Sequence, residues 1–201
     1  MRKIILFVAI LAVAMAGAGP AKANTVGLSV SSATVTLGTT ATVTLDITGL
    51  GNGTALGTFD LNVGFDPGIL GFSSAIYGDP HLGDQLDLEA LGTLTNTTPG
   101  VGTVELFELS FDSAAVLASS QATSFTLLTL DFNPLGLGQS ALPISINALG
   151  DQNGNSVNAT TLDGRVTVNP STVAAPEPGT VLLLGSGLLA LVGAARKRIF
   201  H

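Results

Sequence analysis

Apolar residues recur at every second position along most of this chain, and this period is the feature that most constrains the fold. Successive side chains of a β-strand point to opposite faces of a sheet, so the spacing gives each strand one apolar face. The clearest examples are "TVTLDI" and "FDLNVGF", with apolar residues at Val43, Leu45, Ile47, Phe59, Leu61, Val63 and Phe65. Stretches rich in Gly, Asn, Asp and Pro separate such strands, at 49–53, 65–68, 96–102 and 150–155. Short strands spaced by turns predict an antiparallel β-sandwich over residues 24–169.

Two predicted strands change the phase of their apolar residues midway. In "VELFELSF" the apolar positions shift at Phe107, and in "FTLLTLDF" they shift at Leu128. A slip of one residue sends every later side chain to the opposite face, so each strand is expected to contain a β-bulge or to cross between sheets. Burial of the strand on both faces is the alternative explanation.

The segment between these two strands is compatible with a short helix. It reads "DSAAVLASSQ" (112–121), and either Asp112 or Ser113 is suited to cap the helix N-terminus.

A second segment, "DQNGNSVNATTL" (151–162), has the spacing of a calcium loop at Asp151, Asn153 and Asn155. However, Ser156 stands where an EF-hand requires Gly, and Leu162 stands where it requires a bidentate Glu. We therefore interpret the segment as a hairpin turn.

The first 23 residues have the three parts of a secretory signal peptide, with an apolar helix at their centre. Two cations precede an apolar run at 4–16, and small residues follow it. Ala21 and Ala23 form the A-x-A pattern that signal peptidase recognises, which predicts a mature N-terminus at Asn24. A retained N-terminal anchor is the alternative, and the short apolar run disfavours it.

Three elements follow the predicted domain at the C-terminus. They are a linker at 170–178 that ends in Pro176, Glu177 and Pro178, a transmembrane helix at 179–195, and a basic cytoplasmic tail at 196–201 that begins with Arg196, Lys197 and Arg198. A helix over 180–195 would be about 24 Å long, compared with about 30 Å of membrane hydrocarbon. The basic cluster is expected to stay in the cytoplasm, which places the domain outside.

The Pro-Glu-Pro tripeptide, the apolar stretch and the basic cluster resemble, in order and spacing, the PEP-CTERM sorting signal of bacterial exported proteins. The resemblance implies that an exosortase-type membrane protease recognises the signal and removes the helix. The protein would then be held only transiently in the inner membrane before it reaches the cell surface or the exterior. Proteins with this signal are associated with bacteria that secrete extracellular polysaccharide.

Four stretches of the predicted domain resemble a cohesin-like sandwich, a jelly-roll relative of carbohydrate-binding modules. They are "LSVSSATVTLGTTATVTLDI", "FDLNVGFDPGIL", "SFTLLTLDF" and "LGDQNGNSVNATTLDGRVTV". Cohesins bind dockerin modules, and related modules bind polysaccharide. The resemblance therefore implies a jelly-roll topology and either a dockerin-type protein or a carbohydrate as ligand.

The distribution of charge excludes one class of partner. Residues 24–178 contain fourteen carboxylates and one cation, Arg165, which leaves a net charge of −13. Nucleic acid is excluded as a partner, because phosphate binding requires clustered Lys and Arg. The chain also lacks Cys, which removes disulfides and thiolate catalysis.

The predicted domain offers few residues for catalysis. His81 is its only histidine, and no G-x-S-x-G nucleophile elbow is present. Paired carboxylates hydrolyse glycosides in some enzymes, but acids on an exported domain are usually a solvated surface. We therefore predict that the protein is not an enzyme.

One acidic loop is a candidate for binding a metal ion. "YGDPHLGDQLDLE" (77–89) contains Asp79, Asp84, Asp87 and Glu89. Loops rich in carboxylates suit Ca²⁺, so calcium is the cofactor that the sequence suggests. A solvated acidic loop without an ion is the alternative.

Together these features predict an exported surface or matrix protein without enzymatic activity. Its expected partners are signal peptidase, an exosortase-type protease and extracellular polysaccharide, with membrane contact through the C-terminal helix before processing. The alternative is a cohesin-like binding module for a protein of the dockerin type or for carbohydrate.

Overall fold

A computed structural model describes residues 25–171 and 183–187. Within residues 25–171 the chain forms twelve strands and one short helix. The strands are β1 (Val26–Val30), β2 (Ala33–Thr36), β3 (Ala41–Thr48), β4 (Leu56–Gly64), β5 (Leu70–Tyr77), β6 (Thr93–Gly100), β7 (Thr103–Ser110), β8 (Phe125–Pro134), β9 (Gly138–Leu142), β10 (Ile144–Asp151), β11 (Ala159–Leu162) and β12 (Gly164–Asn169). The helix α1 (Ala114–Ser120) lies between β7 and β8.

The strands form three sheets around one core. The strand order is β11-β1-β3-β8-β5 in the five-stranded sheet, β10-β4-β7-β6 in the four-stranded sheet and β2-β12-β9 in the three-stranded sheet. Buried apolar residues from all three sheets belong to one cluster, which confirms the predicted all-β sandwich. Two pairings, β1 with β11 and β2 with β12, are parallel, so the pairing is not purely antiparallel as predicted.

The core consists mainly of residues that the period of two predicted to face inward. On β4, Phe59, Leu61 and Val63 are completely buried, and they alternate with polar residues that are partly exposed. Leu45 and Ile47 on β3 are equally buried. Complete burial of a Leu or Phe side chain contributes about 1.5–3 kcal/mol, so these residues supply much of the stability of the sandwich.

β8 contains the β-bulge predicted in "FTLLTLDF". The register of β8 against β3 shifts between Leu128 and Thr126, so Leu127 is the extra residue. Leu127 and Leu128 are both buried in the core as a result. The bulge therefore explains the change of phase in this strand.

β7 has a regular register, and the bulge or sheet crossing predicted in "VELFELSF" is wrong. The strand pairs with β4 and β6 without a shift. Val104, Leu106 and Glu108 are buried, and they alternate with Phe107 and Leu109, which are partly exposed. The apparent change of phase arises because a glutamate occupies an inward position and apolar residues occupy outward positions.

Helix α1 confirms the helix predicted within 112–121. Ser113 is its N-cap, and the Oγ atom accepts a hydrogen bond from Val116 N at 3.4 Å. Gln121 ends the helix and fixes it to β4, because its side chain accepts from Leu56 N at 2.6 Å and donates to Leu56 O at 2.9 Å.

Residues 151–155 form the predicted turn, and an antiparallel bridge between Gly150 and Ser156 closes a short hairpin around it. Asp151 Oδ1 accepts hydrogen bonds from the amides of Asn153 and Asn155 at 2.8 and 2.9 Å. The next strand, β11, pairs with β1 rather than with β10. The turn therefore directs the chain to the edge of the five-stranded sheet.

The predicted signal peptide at 1–23 lies outside the described residues. The same holds for the tripeptide at 176–178 and the basic cluster at 196–198. Residues 183–187, within the predicted transmembrane helix, are helical. Across the two described ranges, no helix is both long and apolar enough to cross a membrane.

Candidate binding face

The outer face of the four-stranded sheet carries a line of apolar side chains along β7. Phe107 and Leu109 point outward because they alternate with buried residues of the same strand. Phe111, directly after β7, is 53% exposed. Leu94 on β6 pairs with Leu109 and is 52% exposed, so it widens the line. We refer to Leu94, Phe107, Leu109 and Phe111 as the apolar stripe.

Polar side chains on β4, β7 and β10 flank the apolar stripe. Asp60 is the partner of Phe107 in the ladder between β4 and β7, and Glu105 lies two residues before Phe107 on the same face. Asn147 Nδ2 donates to Asp60 Oδ1 at 3.0 Å, and Asn62 Nδ2 donates to Asn147 Oδ1 at 3.1 Å. An apolar centre beside ordered polar groups is an arrangement found at protein interfaces.

The outer face of the five-stranded sheet differs, because its hydroxyl groups bond to carboxylates within the same face. Thr42 Oγ1 donates to Asp131 Oδ1 at 2.7 Å. Thr44 Oγ1 and Thr126 Oγ1 donate to the two oxygens of Asp46 at 3.0 and 2.6 Å. The centre of this face therefore presents polar groups that are already paired, and its exposed apolar side chains, Ile76 and Leu162, lie on the two edge strands.

Asp79, the first residue of the predicted calcium loop, uses both carboxylate oxygens to hold the loop. Its Oδ2 atom accepts a hydrogen bond from Thr126 N at 2.9 Å, and Oδ1 accepts from His81 N and Leu82 N at 2.8 and 2.9 Å. These bonds, that from Thr126 foremost, hold the pKa of Asp79 below its ordinary value. The role of Asp79 in the structure is therefore to fix the loop against β8.

The other three predicted ligands also bond to the backbone. Asp84 Oδ1, Asp87 Oδ1 and Glu89 Oε2 each accept a hydrogen bond from a main-chain amide, at 2.9, 2.8 and 2.7 Å. In the described part of the chain, no three acidic or histidine side chains are grouped so that they could hold a metal ion. Calcium binding by the four predicted residues together stays a prediction.

Glu108 is a candidate functional residue that the sequence reasoning missed. It is completely buried on the inner face of β7, where the side chains of Asp84 and Thr93 interact with its carboxyl group. Burial, and then the negative charge of Asp84, raise the pKa of Glu108 to about 8. The sequence did contain an indication of this burial, since Glu108 follows Val104 and Leu106 at the same spacing of two residues and therefore points to the same face of β7.

Tyr77 does not provide an exposed ring for binding a sugar. It is the only tyrosine of the chain, and its ring stacks on Phe59 with 6.3 Å between centroids. Its hydroxyl donates to Asn96 O at 2.7 Å, and burial raises its pKa. The chain has no Trp, so the aromatic groups that the binding face offers are phenylalanines.

Residues 174–198 match the PEP-CTERM protein-sorting motif. The matched range includes the tripeptide, the apolar stretch and the basic cluster, which confirms the resemblance drawn from the sequence. The chain as a whole matches no curated protein.

The fold matches cohesin domains of known structure. A non-cellulosomal cohesin of Archaeoglobus fulgidus has a TM-score of 0.55 and 18% identity, over 75% of this chain and 95% of that one. CaCohA2 of Clostridium acetobutylicum has a TM-score of 0.56 and 21% identity, over 73% and 92%. The OlpA cohesin of Clostridium thermocellum, solved in a type I complex with a dockerin, has a TM-score of 0.59 and 14% identity, over 73% and 100%. The predicted cohesin-like sandwich is confirmed at the level of fold.

Proposed function

We propose that this protein is an exported binding module without enzymatic activity, and that its ligand is a protein that docks on the apolar stripe. The observation that carries the proposal is the exposure of Leu94 beside Phe107 and Leu109 on one sheet face, with Phe111 exposed directly after the end of β7. Exposed apolar groups that form a patch mark interaction sites on soluble proteins. Aromatic side chains are enriched at such sites, because each buries a large apolar area on binding.

The sorting motif supports the cellular context of this function. Its match at 174–198 supports export, anchoring in the membrane before processing, and removal of the anchor by an exosortase-type protease. Signal peptidase would act first, after Ala23. In this scheme the domain reaches the cell surface or the exterior with its binding face free.

Association with extracellular polysaccharide, which the sorting signal implied, ranks second to a protein ligand. Sugar-binding platforms use exposed aromatic faces, and the single tyrosine is turned into the sandwich against Phe59. The net charge of −13 over residues 24–178 would also repel an anionic polysaccharide.

A dockerin module is a defined first probe of the proposed ligand class, because cohesins of the same fold were solved with dockerins. Serine substitutions at Phe107 and Leu109 should weaken the complex by about 30-fold or more, since an interface hot spot contributes at least about 2 kcal/mol. Calorimetry of the full-length chain against dockerins, and against proteins co-purified from its host's extracellular fraction, measures this loss.

Ile76→Ser is the matched control, because Ile76 is 61% exposed on the opposite outer face, where it pairs with Thr129. The control should bind as the unchanged chain does. Equal affinity of the stripe variant and the control would overturn the proposed face. Selective binding to purified polysaccharide, with no protein ligand, would overturn the proposed ligand class.

A further inference from the structure

The last strand, β12, leaves the sandwich beside exposed leucine side chains. Leu37 N donates a hydrogen bond to the main-chain oxygen of Asn169, the final residue of β12, at 2.9 Å. In the three-stranded sheet, Val168 pairs with Gly138, so Leu137 also lies next to the end of β12. Leu37 is exposed, and Leu137 is 55% exposed. The point at which the chain leaves the domain therefore has apolar side chains on both sides.

Leu135 extends this apolar surface toward the five-stranded sheet. Its amide donates a hydrogen bond to Ile69 O at 2.8 Å. Ile69 in turn reaches Gly138, since a Cβ atom at that glycine would lie 3.3 Å from Ile69 Cδ1. Leu135 is 61% exposed, while Ile69 is partly buried against the core. We refer to Leu37, Leu135 and Leu137 as the leucine patch.

The two ends of the sandwich differ in charge. Three loops belong to the end that carries the leucine patch, at 37–40, 65–69 and 135–137. They contain one ionisable side chain, Asp66, whose Oδ1 atom accepts a hydrogen bond from Gly68 N at 2.8 Å. Two connections at the other end of the sandwich, at 78–92 and 111–124, contain five carboxylates. We refer to these two connections as the acidic end.

The length of chain beyond β12 keeps the leucine patch close to a membrane. The sorting motif at 174–198 indicates a chain that is anchored in the membrane before processing. Nine residues, 170–178, separate β12 from the predicted transmembrane helix at 179–195. A stretch of this length spans at most about 32 Å, even when it is fully extended. The end of β12 therefore stays near the membrane surface for as long as the chain is anchored.

We propose that the leucine patch docks on the lipid surface of the anchoring membrane, with its side chains at the boundary between head groups and acyl chains. Apolar side chains gain free energy when they leave water for this boundary. Anionic head groups repel a surface rich in carboxylates, so they disfavour approach of the acidic end. Both effects favour the same orientation, in which the end of β12 faces the bilayer and the acidic end points away from it.

The covalent link to the membrane determines how strongly this contact is populated. Three leucines provide a small apolar area, so a free domain should bind lipid weakly. The link converts docking into an intramolecular step with an effective concentration in the millimolar range. Docking is therefore a property of the anchored chain, and removal of the C-terminal segment should release the domain. Phe111 follows β7 at the acidic end, so the docked domain keeps the apolar stripe away from lipid.

Tryptophan fluorescence in brominated lipid tests the proposal, because the chain has no Trp of its own. The anchored chain with Leu137→Trp is extracted from the membrane fraction of the producing cells and reconstituted in phosphatidylcholine vesicles with brominated acyl chains. It should lose about half or more of its emission relative to vesicles without bromine, because bromine quenches an indole that reaches the acyl boundary. Leu91→Trp is the matched reporter, since Leu91 is exposed at the acidic end, and its emission should stay unchanged.

Substitutions in the leucine patch give a second measurement with the same reporter. In the Leu137→Trp chain, Leu37→Ser combined with Leu135→Ser should restore most of the emission, because the patch then loses the apolar groups that hold it in the bilayer. Leu162→Ser is the matched control, since Leu162 is equally exposed but lies on the edge strand β11. The control should remain quenched. Circular dichroism of each chain verifies that the substitutions leave the sandwich folded.

The possible outcomes separate lipid docking from other uses of the leucine patch. Equal quenching of the two reporters, or none at position 137, would overturn the proposal. Emission at position 137 that ignores bromine but changes with the density of protein in the vesicles would assign the patch to a second copy of the chain. Quenching that disappears in high salt would show an electrostatic contact and would also overturn apolar docking. None of these results bears on the apolar stripe, whose protein ligand is measured separately.

Discussion

The amide of Thr126 donates a hydrogen bond to Oδ2 of Asp79 at 2.9 Å, across 47 residues of sequence. Thr126 adjoins Leu127, the extra residue of the bulge in β8. A bulge interrupts the regular ladder, so amides near it need other acceptors. Asp79 provides one, and it thereby connects the acidic loop to the irregular point of the five-stranded sheet.

Asp79→Ala should destabilise the native state by about 1–3 kcal/mol, because it leaves three main-chain amides without their acceptor. The effect should depend on pH. The pKa of Asp79 is lowered in the native state, so its contribution is present above the ordinary value of 3.8 and is lost as pH falls below it. Urea unfolding at pH 7 and at pH 3 measures both effects.

Asp79→Asn is the informative control for this bond network. It keeps one acceptor oxygen and removes the charge. The free energy of unfolding of this variant should therefore lie between that of the unchanged chain and that of the alanine variant. If Asp79→Ala unfolds at the same urea concentration as the unchanged chain at pH 7, the loop is not held by this residue.

Glu108 should make the domain less stable as pH rises. Its pKa is raised to about 8 in the native state, whereas in the unfolded chain it is close to 4.5. Between these values the unfolded state releases the proton and the native state retains it, so unfolding becomes more favourable. Below pH 4.5 both states are protonated, and no such penalty exists.

Glu108→Gln should remove this slope, and the variant should be more stable than the unchanged chain at pH 8–9. Glu105→Gln should keep the slope, because its side chain is on the outer face. Unfolding free energies of the three chains from pH 4 to pH 9 provide the comparison. Parallel curves for all three would show that Glu108 is not the group responsible.

Local pattern was sufficient to predict the type of fold, because burial in a sandwich follows the alternation of side chains along a strand. The inward residues of β3 and β4 were therefore identified correctly. The same pattern misled the interpretation of β7, since it assigned faces from apolarity alone. Phe107 and Leu109 are apolar although they face outward, and Glu108 is polar although it is buried.

Long-range pairing was the part of the structure that the sequence could not supply. β11 and β12 pair in parallel with β1 and β2, more than a hundred residues away, and no local signal encodes those partners. The position of Glu108 was missed in part for the same reason. The loop acids Asp84 and Asp87 were recognised, but Glu108 joins them only through the packing of β7 beneath the loop.

Gly164→Ala should lower the free energy of unfolding by about 2 kcal/mol or more, because β12 approaches the end of β1 too closely for a side chain. A Cβ atom at this position would lie 2.4 Å from Ser31 O and 2.6 Å from Val30 O. Main-chain atoms cannot yield without moving a strand, so the substitution overpacks the contact. Thermal unfolding should show a clear fall in Tm.

Gly71→Ala is the matched control for this contact. Its Cβ would lie 3.3 Å from Leu135 Cδ1, which is the end of a flexible side chain that can move aside. The control should therefore change stability by less than about 1 kcal/mol. Equal losses at both positions would mean that glycine is required for a reason other than close approach of the backbone.

The C-terminal segment should be removed during export, because residues 174–198 match a sorting motif rather than a simple anchor. An epitope tag placed after His201 should be absent from the exported protein, and a tag inserted after Asn169 should persist. Immunoblots of membrane and extracellular fractions with both antibodies measure the two tags separately. A substitution of Pro176 and Pro178 by Ala should leave both tags together in the membrane, because it alters the tripeptide and keeps the apolar stretch and the basic cluster. If the unsubstituted chain carries both tags in its mature form, the segment is a permanent anchor, and the domain would then act only at the surface of the cell that makes it.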